Sequence, residues 1–122
     1  MTFIFRTIDH VQLAAPAESE QICREFFHNI LGMEEIEKPD SLKKNGGVWF
    51  RCGEQQLHIG IDSDFMPAKK AHPAFYIENL DELKKRLLEK QIKVQEDDRL
   101  SGYNRFYVND PFGNRLEFLE IA

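Results

Sequence analysis

The sequence predicts an α+β fold in which a single domain, residues 1–122, consists of two tandem βαβββ modules at about 5–62 and 71–122. Two observations lead to this prediction. Short segments of alternating apolar and polar residues, bounded by turn residues, are typical of strands, and two longer segments have apolar residues at helical spacing. The order of one strand, one helix and three strands then occurs twice with a period of about 60 residues, which indicates an internal repeat.

The first module is predicted to begin with a strand over residues 7–15 and a helix over residues 18–31. The helix carries an apolar stripe that includes Phe26 and Phe27, and Gly32 follows it as a stop. Three further strands are predicted at Glu34–Glu37, Val48–Cys52 and Gln56–Ile61.

The second module repeats this order. A strand is predicted over residues 72–78. Asn79 and Glu82 have the spacing of a capping box, which predicts a helix that begins after Asn79 and continues to about Glu89. Three strands are predicted at Lys93–Glu96, Tyr103–Val108 and Arg115–Ile121, and residues 63–71 are predicted to join the modules. Because a module of this size is marginal alone, the two are expected to pack together.

Composition and charge narrow the classes of function. The net charge of −5 argues against nucleic-acid binding, which usually needs a basic stripe. No apolar run approaches the length of a membrane span, and Arg6 interrupts the N-terminal apolar residues too soon for a signal peptide. Cys23 and Cys52 make no disulfide framework, and Cys23 is expected to be a reduced core thiol. A cytoplasmic protein without a nucleic-acid or membrane partner is therefore expected.

Strand parity places four candidate metal ligands on one side of the predicted sheets. Because side chains alternate along a strand, His10 and His58 lie opposite the helix-packing face in the first and last strands of the first module. His72 and Glu117 occupy the matching positions in the second module. If the two sheets curve into a shared cavity, all four side chains are expected to meet near its pseudo-twofold centre.

Imidazole and carboxylate ligands together suit a divalent ion such as Zn²⁺, Fe²⁺, Mn²⁺ or Ni²⁺. The four residues therefore predict a metal site. Glu117 lies among apolar residues, where a carboxylate is costly to bury unless it is coordinated or paired. A salt bridge from Glu117 to Arg105 or Arg115 is the alternative explanation.

A substrate site for a small molecule is predicted on the same side. Tyr103, Arg105 and Tyr107 share one strand face, and Trp49 is the repeat equivalent in the first module. The Arg105 guanidinium is suited to bind a carboxylate or phosphate through paired donors. Lys38 is expected to be solvated surface. The predicted substrate-binding set is Tyr103, Arg105, Tyr107, Tyr76, Trp49 and Phe50.

Three stretches resemble the vicinal oxygen chelate superfamily of glyoxalases, bleomycin resistance proteins and extradiol dioxygenases. Residues 8–13 (IDHVQL) resemble the opening strand motif of the family, and residues 71–83 (AHPAFYIENLDEL) resemble its mid-chain segment. Residues 106–118 (FYVNDPFGNRLEF) are similar to the ending of the family, which is the most specific of the three motifs. The resemblance covers essentially the whole chain.

The resemblance implies a cup-shaped mixed sheet around a divalent metal ion, with His10, His72 and Glu117 as ligands and Glu117 as the catalytic group. His58 falls where glyoxalase I enzymes often carry a glutamate. The implied activity is a glyoxalase-like lyase or isomerase. The alternatives are an extradiol ring-cleaving dioxygenase, a fosfomycin-type thiol transferase and a metal-free antibiotic-binding protein. Relatives often form homodimers, sometimes with each site built from two chains, so a homodimer is expected.

Overall fold

The computed structural model describes residues 2–122 and contains two four-stranded mixed sheets. Each module forms one sheet, in which its strands lie in the order first, fourth, third, second. The first strand is parallel to its neighbour, and the other neighbours are antiparallel. The predicted α+β class and the two βαβββ modules are therefore confirmed.

The first module forms sheet A. Its strands are β1 (His10–Ala15), β2 (Glu34–Ile36), β3 (Val48–Cys52) and β4 (Gln55–Ile61). Helix α1 follows β1 and is α-helical over Glu20–Cys23 and π-helical over Arg24–Ile30. A short helix α2 (Asp40–Lys43), which the sequence pattern did not predict, precedes β3.

The second module forms sheet B, with β5 (Ala74–Tyr76), α3 (Leu80–Glu89), β6 (Gln95–Asp97), β7 (Tyr103–Asn109) and β8 (Arg115–Ile121). The predicted capping box is wrong, because Asn79 has a left-handed backbone (φ 63°) and its side chain makes no cap. The Glu120 carboxylate instead accepts hydrogen bonds from the N–H groups of Asn79 and Leu80, at 2.9 and 3.1 Å. A carboxylate is favourable at a helix N-terminus.

Two predicted strands are shorter in the structure. The strand predicted over residues 7–15 begins only at His10, because its pairing with β4 begins at Gln56. Residues 2–9 continue beyond sheet A without assigned secondary structure. The strand predicted over residues 72–78 is confined to β5.

The helix-facing sides of the two sheets contribute to one apolar core. Its buried members are Leu13, Ala15, Cys23, Phe26, Phe27, Val48, Phe50, Leu57 and Ile59 from the first module and Leu80, Leu87, Phe106, Val108, Leu116 and Phe118 from the second. The Arg86 guanidinium also joins α3 to α1, donating to the carbonyls of Asn29 and Ile30 at 2.7 Å. The candidate ligands lie on the opposite sheet faces, outside this core.

A buried polar turn fastens the second module to the first. The Asp110 carboxylate accepts hydrogen bonds from the N–H groups of Phe112 and Asn114, each at 2.9 Å. The Asn114 amide group donates to the Ala14 carbonyl of β1 at 2.8 Å and accepts from the Ala68 N–H at 3.0 Å. The Asp-Pro-Phe-Gly-Asn turn therefore holds β1 and the inter-module segment in place.

Both cysteines are free, and Cys23 is fully buried in the core, as predicted. Burial raises the pKa of the Cys23 thiol to about 11, so this thiol stays protonated and inert. Within residues 2–122, no helix has the length and apolar character needed to cross a membrane.

We predict that Asn114→Ala lowers the free energy of unfolding by about 3 kcal/mol, because several buried polar groups lose their partners at once. Equilibrium urea denaturation measures this loss. The matched control is Asn104→Ala, since Asn104 is exposed on β7 and its replacement should change stability by less than about 0.5 kcal/mol. Equal effects of the two substitutions would contradict the fastening role of Asn114.

Candidate functional site

His72 and Glu117 form one pair of candidate ligands on sheet B. Glu117 lies on β8 and is only 5% exposed, and its N–H donates to the Pro73 carbonyl at 3.0 Å. This contact aligns β8 with the segment that precedes β5. It brings His72 Nε2 to 2.9 Å from Glu117 Oε1. The structure therefore places together the two second-module residues that the sequence predicted as ligands.

The hydrogen bonds of His72 determine which ion the His72–Glu117 pair is able to bind. A backbone carbonyl only accepts, so His72 Nδ1, 2.8 Å from the Lys70 carbonyl oxygen, carries the proton of the neutral ring. Nε2 then has a lone pair that points at a carboxylate oxygen. Two lone pairs at 2.9 Å need a proton or a cation between them. The pair therefore holds either a proton, as an ion pair between protonated His72 and Glu117, or a metal ion.

Arg105 and Asp97 complete the surroundings of Glu117. Arg105 Nη1 lies 3.4 Å from Glu117 Oε2, and Nη2 lies 3.2 Å from Asp97 Oδ1. The side chain of Arg99 and its N–H, followed by Arg105, hold the pKa of Asp97 well below its usual range. The salt bridge predicted as the alternative for Glu117 is therefore present, and it coexists with the His72 contact. Arg115 does not take this role, because its guanidinium lies over the Tyr107 ring, 4.0 Å from the centroid.

His10 and His58 form the second pair of candidate ligands, on sheet A. The His58 ring is stacked between His10 and Trp49, with centroid distances of 4.1 and 3.7 Å. Strand register causes this arrangement, because Trp49 is the direct cross-strand neighbour of His58, and His10 lies opposite Gln56, two residues before His58. The stack fixes the orientation of an imidazole that is only 4% exposed.

Each ring of this pair also has one nitrogen bonded to an oxygen. His10 Nδ1 lies 2.9 Å from Asp9 Oδ2, and His58 Nε2 lies 2.9 Å from Gln56 Oε1. Burial, followed by the charge of His10, lowers the pKa of His58, so its ring is neutral at neutral pH. A neutral imidazole that donates one N–H to an oxygen offers its other nitrogen to a metal ion.

The two pairs do not form one ligand set within the chain. Among residues 2–122, no group of three or more His, Cys, Asp or Glu side chains is close enough to hold a metal ion. The cause is the arrangement of the sheets, which share a core on their helix-facing sides and carry the pairs on the other sides. One chain therefore supplies two separate pairs of donors.

The predicted substrate residues divide between the two pairs. Tyr107 is buried and meets His72 edge to face at 5.6 Å, whereas Tyr76 and Tyr103 are more exposed, with hydroxyl oxygens 3.4 Å apart. Trp49 lies beside the sheet A pair, stacked on the His58 ring. The inclusion of Phe50 is wrong, because this residue is fully buried in the core and its neighbours on β3 alternate to the other face.

Two charged residues near the pairs, Lys38 and Asp97, were not predicted as site residues. Lys38 is half-buried rather than solvated, donates to the Gly46 carbonyl, and contributes to the lowered pKa of His58. It lines a hollow of about 210 Å³ together with Trp49. No periodic signal marks a lysine in a loop. Asp97 was detectable in principle, because the antiparallel pairing of β6 with β7 places it opposite Arg105.

Comparisons with known proteins agree with the fold. The sequence profile described as Glyoxalase/Bleomycin resistance protein/Dioxygenase superfamily matches residues 7–118. The crystal structure of a glyoxalase family protein from Bacillus anthracis is 51% identical, covers 100% of both chains and has a TM-score of 0.98. No curated protein matches the chain.

Two more distant structures show the fold alone. A lactoylglutathione lyase from Agrobacterium tumefaciens is 24% identical, covers 89% of this chain and 90% of its own, and has a TM-score of 0.68. A variant of the fosfomycin resistance protein FosX from Listeria monocytogenes, complexed with Mn(II) and 1S,2S-dihydroxypropylphosphonic acid, is 20% identical. It covers 98% of this chain and 95% of its own, with a TM-score of 0.79.

We predict that Glu117→Gln lowers the free energy of unfolding by about 1–2 kcal/mol, because the neutral amide removes the negative charge from the buried contacts with His72 and Arg105. Urea denaturation in excess chelator measures the protein without bound metal. The control is Glu96→Gln, which removes a surface ion pair with Lys84 and should change stability by less than about 0.5 kcal/mol. A loss no larger than the control's would contradict this assignment.

Proposed function

The chain belongs to the Glyoxalase/Bleomycin resistance protein/Dioxygenase superfamily, and we propose that it is a metal-dependent enzyme of the lyase or isomerase type. Its substrate is a small molecule that offers two neighbouring oxygens to the metal. The observation that carries the proposal is the bonding of His10, His58 and His72. Each ring has one nitrogen bonded to an oxygen, and His72 turns its other nitrogen toward the Glu117 carboxylate at 2.9 Å.

The donor types fit a divalent ion. Three imidazoles and one carboxylate suit Zn²⁺, Fe²⁺, Mn²⁺ or Ni²⁺. Because one chain supplies two separate pairs, we propose that the enzyme is a homodimer with two equivalent sites. In each site, His10 and His58 come from one chain, and His72 and Glu117 come from a second copy. If the two chains are related by a twofold axis, as in an isologous dimer, the same contacts form both sites.

The metal ion would supply Lewis-acid stabilisation of negative charge that develops on the substrate oxygens. The side chains have separate tasks. Glu117 is the proton carrier, and Arg105 Nη1, 3.4 Å from its Oε2, orients the carboxylate. Tyr107 and Trp49 exclude water beside the two pairs. Arg105 also orients an anionic group of the substrate, since its guanidinium offers paired donors beside Glu117.

A second candidate is the opening of a phosphonate antibiotic of the fosfomycin type. It is favoured by the two cations near the donor pairs, Arg105 and Lys38, which suit a doubly charged phosphonate. Both candidates use the same metal ligands, so they differ in substrate and not in the site. The free thiols of Cys23 and Cys52 fit a reducing compartment, and we propose that either reaction takes place in the cytoplasm.

Mixed dimers test the shared site without an activity assay. One chain carries His10→Ala and His58→Ala, and the other carries His72→Ala and Glu117→Gln. Each variant alone has no intact site, whereas a co-expressed heterodimer, purified through two different tags, has one. Titration with Mn²⁺ by calorimetry should give one tight site per heterodimer and two per wild-type dimer. A heterodimer that binds no ion, or a single variant that binds like the wild type, would refute the shared site.

Turnover assays separate the candidate reactions. The metal-loaded protein is given a hemithioacetal of an α-oxoaldehyde, fosfomycin with a thiol or with water, or a catechol. We expect isomerisation of the hemithioacetal, with kcat lowered at least about 100-fold by Glu117→Gln and unchanged by Glu96→Gln. If fosfomycin is the only one of these compounds that is converted, the second candidate replaces the first. Cleavage of the catechol ring, or binding of these compounds without metal or turnover, would overturn both.

A further inference from the structure

Arg115 is a cation beside the sheet B pair that no acidic residue of the chain neutralises. Its guanidinium lies over the Tyr107 ring, 4.0 Å from the centroid, and the same ring meets His72 edge to face at 5.6 Å. Arg115 therefore lies near the proposed ligands. Among residues 2–122, the arginines that form ion pairs with carboxylates do not include Arg115.

The other arginine on this sheet face, Arg105, is in a different electrostatic setting. Its Nη1 lies 3.4 Å from Glu117 Oε2, and its Nη2 lies 3.2 Å from Asp97 Oδ1. Two carboxylates therefore offset one guanidinium, although Arg99 also pairs with Asp97. Arg115 keeps its full charge, and it is half-buried. Because a charge that is partly removed from water is costly without a partner, this guanidinium favours the binding of an anion.

The Tyr107 ring holds the Arg115 guanidinium in place. Tyr107 is only 7% exposed, and strand pairing fixes it between Gln95 of β6 and Glu117 of β8. A guanidinium that lies over an aromatic ring is attracted to the ring face and keeps its N–H donors available at its edge. Arg115 is therefore prearranged to bind a carboxylate or phosphate group through paired hydrogen bonds.

We propose that Arg115 binds an acidic group of the substrate, and that the substrate is a short dianion. This inference rests on the proposed function, because it names the substrate class of the same site. One negative charge belongs to the group that Arg105 orients beside Glu117, and the second belongs to the acidic group on Arg115.

The strand geometry sets the length of this substrate. Arg115 and Glu117 are two residues apart on one face of β8, which separates their backbone positions by roughly 7 Å. An acidic group that is about three or four bonds away from the two oxygens offered to the metal spans this distance. The class is therefore a compact molecule with its two charged ends close together.

The charges around the proposed shared site also favour a dianion. Arg105 and Arg115 from one chain, and Lys38 near His58 of the other, add to the charge of a divalent ion. The carboxylates beside the two donor pairs offset only part of this charge, and they are Asp9, Asp97 and Glu117. The remaining positive charge attracts substrates with two negative groups and disfavours their neutral or singly charged analogues.

Two matched pairs of compounds test the assignment by calorimetry with the Mn²⁺-loaded dimer. The first pair is α-ketoglutarate and α-ketovalerate, and the second pair is 3-phosphoglycerate and glycerate. Within each pair, both compounds offer a carboxylate and a neighbouring oxygen to the metal. They differ in the distal acidic group, which is a carboxylate in the first pair and a phosphate in the second. We expect the wild type to bind the dianion of at least one pair at least about 10-fold more tightly, as for a charge-assisted contact. The pair with the larger preference identifies the acidic group.

Variants then assign the preference to Arg115. Arg115→Gln should reduce the preference to less than about 2-fold and leave the affinity for the singly charged compound within about 3-fold of the wild type. The matched control is Arg24→Gln, which removes the same charge from a surface ion pair with Glu35 and should keep the full preference.

Two results would overturn the proposal. One is equal binding of both compounds of each pair by the wild type. The other is a preference that Arg115→Gln retains. If Arg115→Gln also dimerises more weakly in sedimentation equilibrium while the preference is retained, Arg115 pairs with a carboxylate of the second copy and not with substrate.

The same titrations separate this proposal from the metal-dependent function. If the wild type binds no Mn²⁺ but the metal-free protein shows a preference for a dianion that Arg115→Gln abolishes, the anion site stands and the metal-dependent function fails. If the protein binds Mn²⁺ and isomerises the hemithioacetal but prefers neither dianion, the function stands and the role of Arg115 fails.

Discussion

The shared core of the two modules determines where the chemistry of this chain takes place. Both sheets bury their helix-facing sides together, with Phe27 and Phe50 from one module and Phe106 and Phe118 from the other among the members of the core. A sheet has only two faces, so the donor side chains occupy the faces that the core leaves free. The chain folds around its hydrophobic centre and keeps its two donor pairs apart. In the proposed dimer, a second copy of the chain therefore completes each ligand set.

Within each pair, neighbouring groups hold the side chains that we propose as metal ligands. His72 is held by the Lys70 carbonyl and faces Glu117, while the stack of His10, His58 and Trp49 fixes the rings of the other pair. Such preorganisation lowers the entropic cost of binding an ion. The buried turn at Asp110 and Asn114 holds β1, and thus His10, to the second module. The turn that joins the two modules therefore also helps to position His10, a proposed ligand.

The sequence was informative wherever local periodicity determines structure. Alternation and helical spacing predicted the duplicated modules, and strand parity placed His58 with His10 and Glu117 with His72. Parity also placed Tyr107 on the side of β7 that meets His72, whereas Phe50, which was also predicted to line the site, lies on the opposite side of β3 from Trp49. The strand predicted from residue 7 was too long, because strand ends depend on a pairing partner and β4 offers one only from Gln56.

Other features depend on tertiary contacts that no local pattern encodes. Lys38 comes near His58 because a loop folds back, and the Glu120 carboxylate replaces the side chain of Asn79 at the start of α3. Most important, periodicity does not state which sides of two sheets face each other. The expectation that four ligands meet in one cavity assumed one arrangement of the sheets, and the separation of the pairs follows from another.

A crystal structure of the Mn²⁺-loaded protein, with the ion located by anomalous scattering, tests the central claim most directly. We expect each ion to contact His10 and His58 of one chain and His72 and Glu117 of a second, with two such ions related by a twofold axis. An ion bound by residues of a single chain, or ions found only away from these four side chains, would contradict the claim.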